Sequence, residues 1–122
     1  MPSRRKTREF VLQVLFAADA RKQDPIDVLN FLERHFETEP EETLKMDRIL
    51  RDFARQLVEA VANDRDVIDS IITKFSTNWK LHRISRVDRN ILRMAIAEMT
   101  SLPDSPAPVV LNEAIEIGKK YG

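Results

Sequence analysis

The stretch from Asn78 to Met99, NWKLHRISRVDRNILRMAIAEM, constrains the fold more than any other part of the chain. Trp79, the only tryptophan, is followed by Leu81 and Ile84, so three apolar side chains pin a short irregular connector. Ser85 with Asp88 three residues on reads as a capping box. The hydroxyl takes a free amide of the first turn and the carboxylate reaches back to the cap amide, so a helix starts straight after Ser85. Val87, Ile91, Met94 and Ala95 then recur at helical spacing as a buried stripe, while Arg86, Arg89 and Arg93 share another face. This helix is predicted to be central core on one side and basic surface on the other. Glu98 falls on the apolar stripe and, if buried, needs a partner. A tether to an amide or cation of a neighbouring helix, with Asn112 and the chain before it as candidates, fits better than a catalytic role.

The same period runs through the rest of the chain. Ser3 caps a first helix to about Ala20, with Phe10, Val11, Val14, Leu15 and Ala18 on one face and Leu12 and Phe16 widening it. Asp24 and Pro25 are a cap and a first helical residue, opening a second helix with Leu29, Leu32 and Phe36 inward. The acidic stretch Glu37 to Glu42, containing Pro40, breaks it and reads as a solvated loop. Met46, Ile49, Leu50, Phe53, Leu57 and Val61 make a third helix. Asn63 and Asp64 mark a break or a kink, and Val67, Ile68, Ile71, Ile72 and Phe75 continue an apolar stripe beyond them. Residues 44–75 are therefore one kinked helix or two. After the Ser85 helix, Pro103, Pro106 and Pro108 force an extended path. A last helix, Val109 to about Tyr121, buries Val110, Leu111, Ala114, Ile115 and Gly118. No stretch alternates with period two for long enough to be a strand, so the class is all-α.

At 122 residues the chain is most simply one domain, residues 1–122, around one or two small cores. With no cysteine there is neither a disulfide nor a thiolate zinc site, and no apolar run reaches the length of a membrane span; a cytoplasmic protein is expected. His35 and His82 lack a second ligand at metal spacing, and with only Gly118 and Gly122 no phosphate-cradling glycine loop can be built. Ser and Thr have no nucleophile-elbow setting, and carboxylate pairs such as Glu41 and Glu42 lie where no burial would raise a pKa. The chain is not expected to be an enzyme or to need a cofactor.

Charge is more informative in its distribution than in its total of zero. Residues 1–22 carry six basic against two acidic side chains, whereas residues 23–47 carry two against eight. The basic end concentrates in the first helical turn as Arg4, Arg5, Lys6 and Arg8, where the helix dipole disfavours cations by a few tenths of a kcal/mol each. Either that end is frayed and solvated, or something else uses those charges.

Three stretches together resemble the NusB family of transcription antitermination factors: RRKTREFVLQVLF (Arg4 to Phe16), the Asn78 to Met99 segment, and PVVLNEAIEIGKKYG (Pro108 to Gly122). The resemblance implies a bundle of about six helices in two packed three-helix halves. It implies a binding subunit that pairs with the ribosomal protein NusE on boxA-type single-stranded RNA and helps assemble an antitermination complex on RNA polymerase, notably in ribosomal RNA operons. Matched residue by residue, Arg4, Arg5, Lys6 and Arg8 would be the RNA contacts. Phe16, where the family often has Tyr, would stack or pack, and Asp88 would be a NusE contact. The family usually continues with a further loop and helix beyond the position of Gly122, and usually has Ala at that of Gly118. Two other readings keep the fold: an accessory module for a ribosomal RNA methyltransferase, or a protein-interaction adaptor without RNA binding. Monomer and homodimer both stay open.

Overall fold

Capping chemistry sets where the helices begin. In the computed structural model, which describes residues 3–38, 48–76 and 81–122, the Ser3 hydroxyl accepts from the Lys6 amide at 3.2 Å and starts α1 (Arg4–Arg21). α1 stops at Lys22, whose left-handed backbone (φ 56°) lets the Gln23 amide bond back to the Ala18 carbonyl at 2.9 Å. A side chain in that conformation costs about 1–2 kcal/mol. The Asp24 carboxylate accepts from the Ile26 amide at 2.9 Å, and Pro25 opens α2 (Pro25–Thr38). α3 (Arg48–Asn63) and α4 (Arg65–Phe75) part at Asp64, whose φ of −109° and ψ of 18° leave the helical region, so this segment holds two helices. One 3₁₀ turn, Leu81–Arg83, leads to Ser85, whose hydroxyl accepts from the Asp88 amide at 3.1 Å to start α5 (Arg86–Ser101). α6 (Ala107–Tyr121) begins two residues before the expected Val109. Pro108 sits in its first turn, where a missing N–H leaves nothing unpaired, so it opens the helix and does not extend the connector. The expectations for Trp79, Met46 and the acidic stretch beyond Thr38 lie outside the described residues, as do the side chains of residues 35–38 and of His82.

Among the described residues all regular structure is helical. α1, α2 and α3 pack on one another as one three-helix half; α5 receives α4 and α6 in the other, and both α1 and α3 lie against α5. The two halves share one continuous core in which Leu15, Leu29, Leu57, Met94 and Ile117, from five different helices, are buried.

Several faces differ from those read off the periodicity. On α4 the buried column is Ile68 and Ile72, and Val67 and Phe75 are exposed. On α6 it is Val110 and Ile117, with Ala114 half-buried, and Leu111 and Ile115 face solvent; Ile49 on α3 is exposed too. Each of these helices carries two adjacent apolar columns, and a period alone cannot choose between them. Gly118 is half-buried with nothing within 4 Å of where a Cβ would sit, so no close packing calls for a glycine. Gly118→Ala should therefore stabilise the fold by about 0.5–1 kcal/mol, seen as a raised urea midpoint with an unchanged m-value. A destabilised variant would show that the backbone there is not helical.

The largest difference concerns α5. Arg89 and Arg93, expected on an outer basic face, turn inward to join α1, α4 and α5. Arg89 donates from Nε and Nη2 to the Asp19 carboxylate at 2.8 and 3.0 Å, and Asn90 Nδ2 adds a third bond at 2.9 Å. Arg93, 3% exposed, donates to Asp69 at 2.8 and 3.0 Å and to Asp19 at 3.1 Å. Only Arg86 keeps to the surface. Buried charge needs geometry of this quality, because desolvation would otherwise exceed the attraction.

Candidate nucleic-acid interface

The four cations at the start of α1 divide into three that face solvent and one that does not. Arg4 is exposed, its guanidinium 4.5 Å from the centre of the buried Phe53 ring, so its stem is held while its charge stays wet. Arg5 donates from Nε to Glu113 at 2.6 Å with half of its side chain still in solvent. Lys6 is more open, with Nζ 3.6 Å from Glu9.

Arg8 is the exception, and its place corrects the expectation that it lies on the RNA-facing surface. Helical spacing puts it on the same column as Leu12 and Leu15, which aims it between α1 and α5. There it is 4% exposed and donates from Nε and Nη2 to the two Glu98 oxygens at 2.7 and 2.6 Å, with Glu113 3.7 Å from Nη1. Glu98, 1% exposed, is thus the buried acid foreseen on the α5 stripe, but its partner comes from α1 and is not Asn112. The paired, planar geometry is the one arginine provides and lysine cannot.

Glu9, which sequence reasoning passed over, organises the adjoining surface. Its Oε1 accepts from Lys120 Nζ at 2.7 Å and from the Tyr121 hydroxyl at 3.0 Å, tying α1 to the end of α6. Burial pushes this carboxyl up, but the hydrogen bonds from Lys120 and Tyr121, with the nearby charge of Lys6, hold it below the ordinary glutamate value. The bond to Glu9 in turn raises Lys120. Lys119 and Lys120 thereby extend the exposed cations of α1 onto α6. Phe16, 38% exposed, has the Arg86 guanidinium 5.9 Å from its ring centre and borders this surface without being part of the core. Asp88 is exposed, with Oδ1 2.9 Å from where a Cβ on Gly122 would sit, so its amide serves the cap while its carboxylate faces the end of α6.

This arrangement is suited to binding. Among the described residues no group of three His, Asp or Glu side chains is placed to hold a metal ion, and no helix is long and apolar enough to cross a membrane.

The NusB family model matches residues 5–122. The transcription antitermination protein NusB of Desulforapulum autotrophicum is 41% identical over 122 residues, which span all of this chain and 81% of the relative. Its counterpart in Myxococcus xanthus is likewise 41% identical, with 84% of the relative covered. Of solved structures, T. maritima NusB superposes with a TM-score of 0.83 at 33% identity, covering 99% of this chain and 80% of that one. A chain in the crystal structure of a plectonemic RNA supercoil superposes with a TM-score of 0.79 at 25% identity, covering 100% and 83%.

Proposed function

The chain belongs to the NusB family and acts in transcription antitermination, not as an enzyme; from that premise we propose that it binds a boxA-type single-stranded RNA together with NusE and helps assemble the antitermination complex on RNA polymerase. The observation that carries this reading is the gathering of Arg4, Arg5 and Lys6 on the solvent side of the α1 start, against the local helix dipole, with Lys119 and Lys120 beside them. Three cations on a rigid turn can neutralise successive phosphates, and arginine can also stack on unpaired bases. Arg8 plays a different part, anchoring the turn to α5 so that the other three keep their places. Asp88, exposed at the start of α5, is the proposed NusE contact.

Replacing Arg4, Arg5 and Lys6 together by Ala should leave the helical circular dichroism intact. It should weaken boxA RNA binding and reduce the log–log salt slope by about 2, at roughly 0.7 for each phosphate of a single strand that is no longer neutralised. RNA affinity and slope equal to wild type would sink the reading. Asp88→Asn, which adds no cation beside the end of α6, should leave binding of RNA alone nearly unchanged and reduce the gain in affinity expected from NusE.

A further inference from the structure

Phe31 is an exposed aromatic that neither the core nor the cation-bearing surface uses. It is 62% exposed on α2, one turn beyond the half-buried Val28, and the two line a groove of about 380 Å³ with Asp24, Asp27 and Arg21 around them. At Gln23 and Asp24 this groove meets a more polar cleft of about 550 Å³, set between the α1–α2 corner and the break between α3 and α4, with Ala62, Arg65, Asp66 and Asp69 on its walls. Arg65 and Asp69 belong to the internal network, since Asp69 holds Arg93 at 2.8 Å and Arg65 lies 3.6 Å from Asp69. The rest of the lining charge is uncommitted. Asp24 accepts the Ile26 amide on one oxygen, and the exposed Asp27 and Asp66 have no ion pair among the described residues. Against these three carboxylates stands one unpaired cation, Arg21.

We propose that this corner docks an extended basic segment of a protein partner, with one large apolar side chain on Val28 and Phe31 and the neighbouring arginines or lysines along Asp24, Asp27 and Asp66. The proposal stands apart from the RNA-binding reading above and uses none of its residues. Charge complementarity selects the occupant: a nucleic acid would bring phosphates against three carboxylates, whereas a cationic peptide is drawn to them. The wider charge has the same sign, because residues 23–47 carry eight acidic side chains against two basic. An extended segment turns successive side chains to opposite sides at about 3.3 Å per residue, so an apolar anchor and its flanking cations can reach the groove and the cleft together. The corner also lies about 25 Å from the basic turn, at 1.5 Å for each residue of α1, so that this partner and an RNA can be held at the same time.

The test titrates the blocked peptide acetyl-Gly-Leu-Arg-Arg-Gly-amide into the isotope-labelled 122-residue chain and follows its amide NMR shifts. Saturable shifts should concentrate at residues 21–31 and 62–69, with a Kd of about 0.1–1 mM at low salt. Phe31→Ala and the double replacement Asp27→Asn with Asp66→Asn should each weaken binding about fivefold, and added salt should weaken wild type more than the double replacement. All three side chains are exposed, so the fold survives either change. Ala in place of Leu in the peptide should weaken binding to wild type about fivefold and cost Phe31→Ala almost nothing further, while Glu in place of both arginines should abolish it. Equal binding of the peptide without Leu, or a Kd unchanged in both variants, would show non-specific attachment to charge and overturn the docking site. If boxA-type RNA moves these amides and the peptide does not, the face takes nucleic acid, and the proposal falls while the RNA reading stands.

Discussion

Glu98→Ala is expected to destabilise the fold by about 3–5 kcal/mol, a large share of the 5–15 kcal/mol typical of a small domain. Glu98 and Arg8 are 1% and 4% exposed and meet through two parallel hydrogen bonds, so removing either leaves a charge in a place water does not reach. Arg8→Ala should cost at least as much, because among the described residues Arg8 is the one cation paired with Glu98, whereas an unpaired Arg8 can still turn to Glu113, 3.7 Å from Nη1. Replacing both together, Arg8→Met with Glu98→Leu, should recover most of the loss, since apolar groups of similar volume need no partner. Urea denaturation of the four proteins closes the cycle, and a coupling energy below about 1 kcal/mol would contradict a mutually dependent pair. The cycle also decides what Arg8 is for. If it anchors α1 to α5, the folded double replacement keeps RNA affinity within about threefold of wild type. A folded double replacement as weak as the Arg4, Arg5, Lys6 variant would make Arg8 an RNA contact after all.

Arg8 also marks where sequence reading succeeds and where it stops. Helix order, the Ser3, Asp24 and Ser85 caps and an irregularity at Asn63 and Asp64, though not whether it breaks or only kinks the helix, were legible because each depends on a few neighbouring residues. Glu98 was legible as a buried acid because it interrupts an apolar column, and the same test applied to α1 would have flagged Arg8, which shares a column with Leu12 and Leu15. The identity of a partner is another matter. Arg8 and Glu98 are 90 positions apart, and Arg89 and Asp19 are 70 apart. Only the packing of α5 on α1 makes one arginine of a run internal and the next external. For the same reason Arg86, Arg89 and Arg93 read as one surface although Arg93 is buried and Arg89 half-buried. The cleft at the α1–α2 corner escaped notice because its walls come from α2, α3 and α4, and no local spacing records that meeting.

Asp19 is the second position where a single change should be costly, and its effect should depend on pH. The carboxylate accepts from Arg89, Asn90 and Arg93, with Arg65 3.9 Å away, and so joins α1 to α5 and to α4. Burial alone would push its pKa up; the hydrogen bonds from Arg89 and Asn90 and the charges of Arg89 and Arg93 outweigh it and hold the group far below the ordinary aspartate value. Asp19→Asn keeps the shape and removes the charge. At pH 7 it should cost about 2–4 kcal/mol, less than breaking the Arg8 pair because Arg93 retains its two bonds to Asp69. A carboxyl with a depressed pKa in the folded chain binds fewer protons than in the unfolded one, so the stability it contributes is complete above the unfolded pKa of about 4 and declines as pH falls further. The gap between wild type and Asp19→Asn should thus be constant from pH 7 to about pH 5 and then narrow by about 1.4 kcal/mol per pH unit below about pH 4, read from urea midpoints at matched ionic strength. Carboxylates common to both proteins, Glu9 among them, cancel in that difference. A gap that stays the same down to pH 3 would mean that the cost of Asp19→Asn comes from the introduced amide and not from the lost charge, and that the arginines of α5 are held inside by packing.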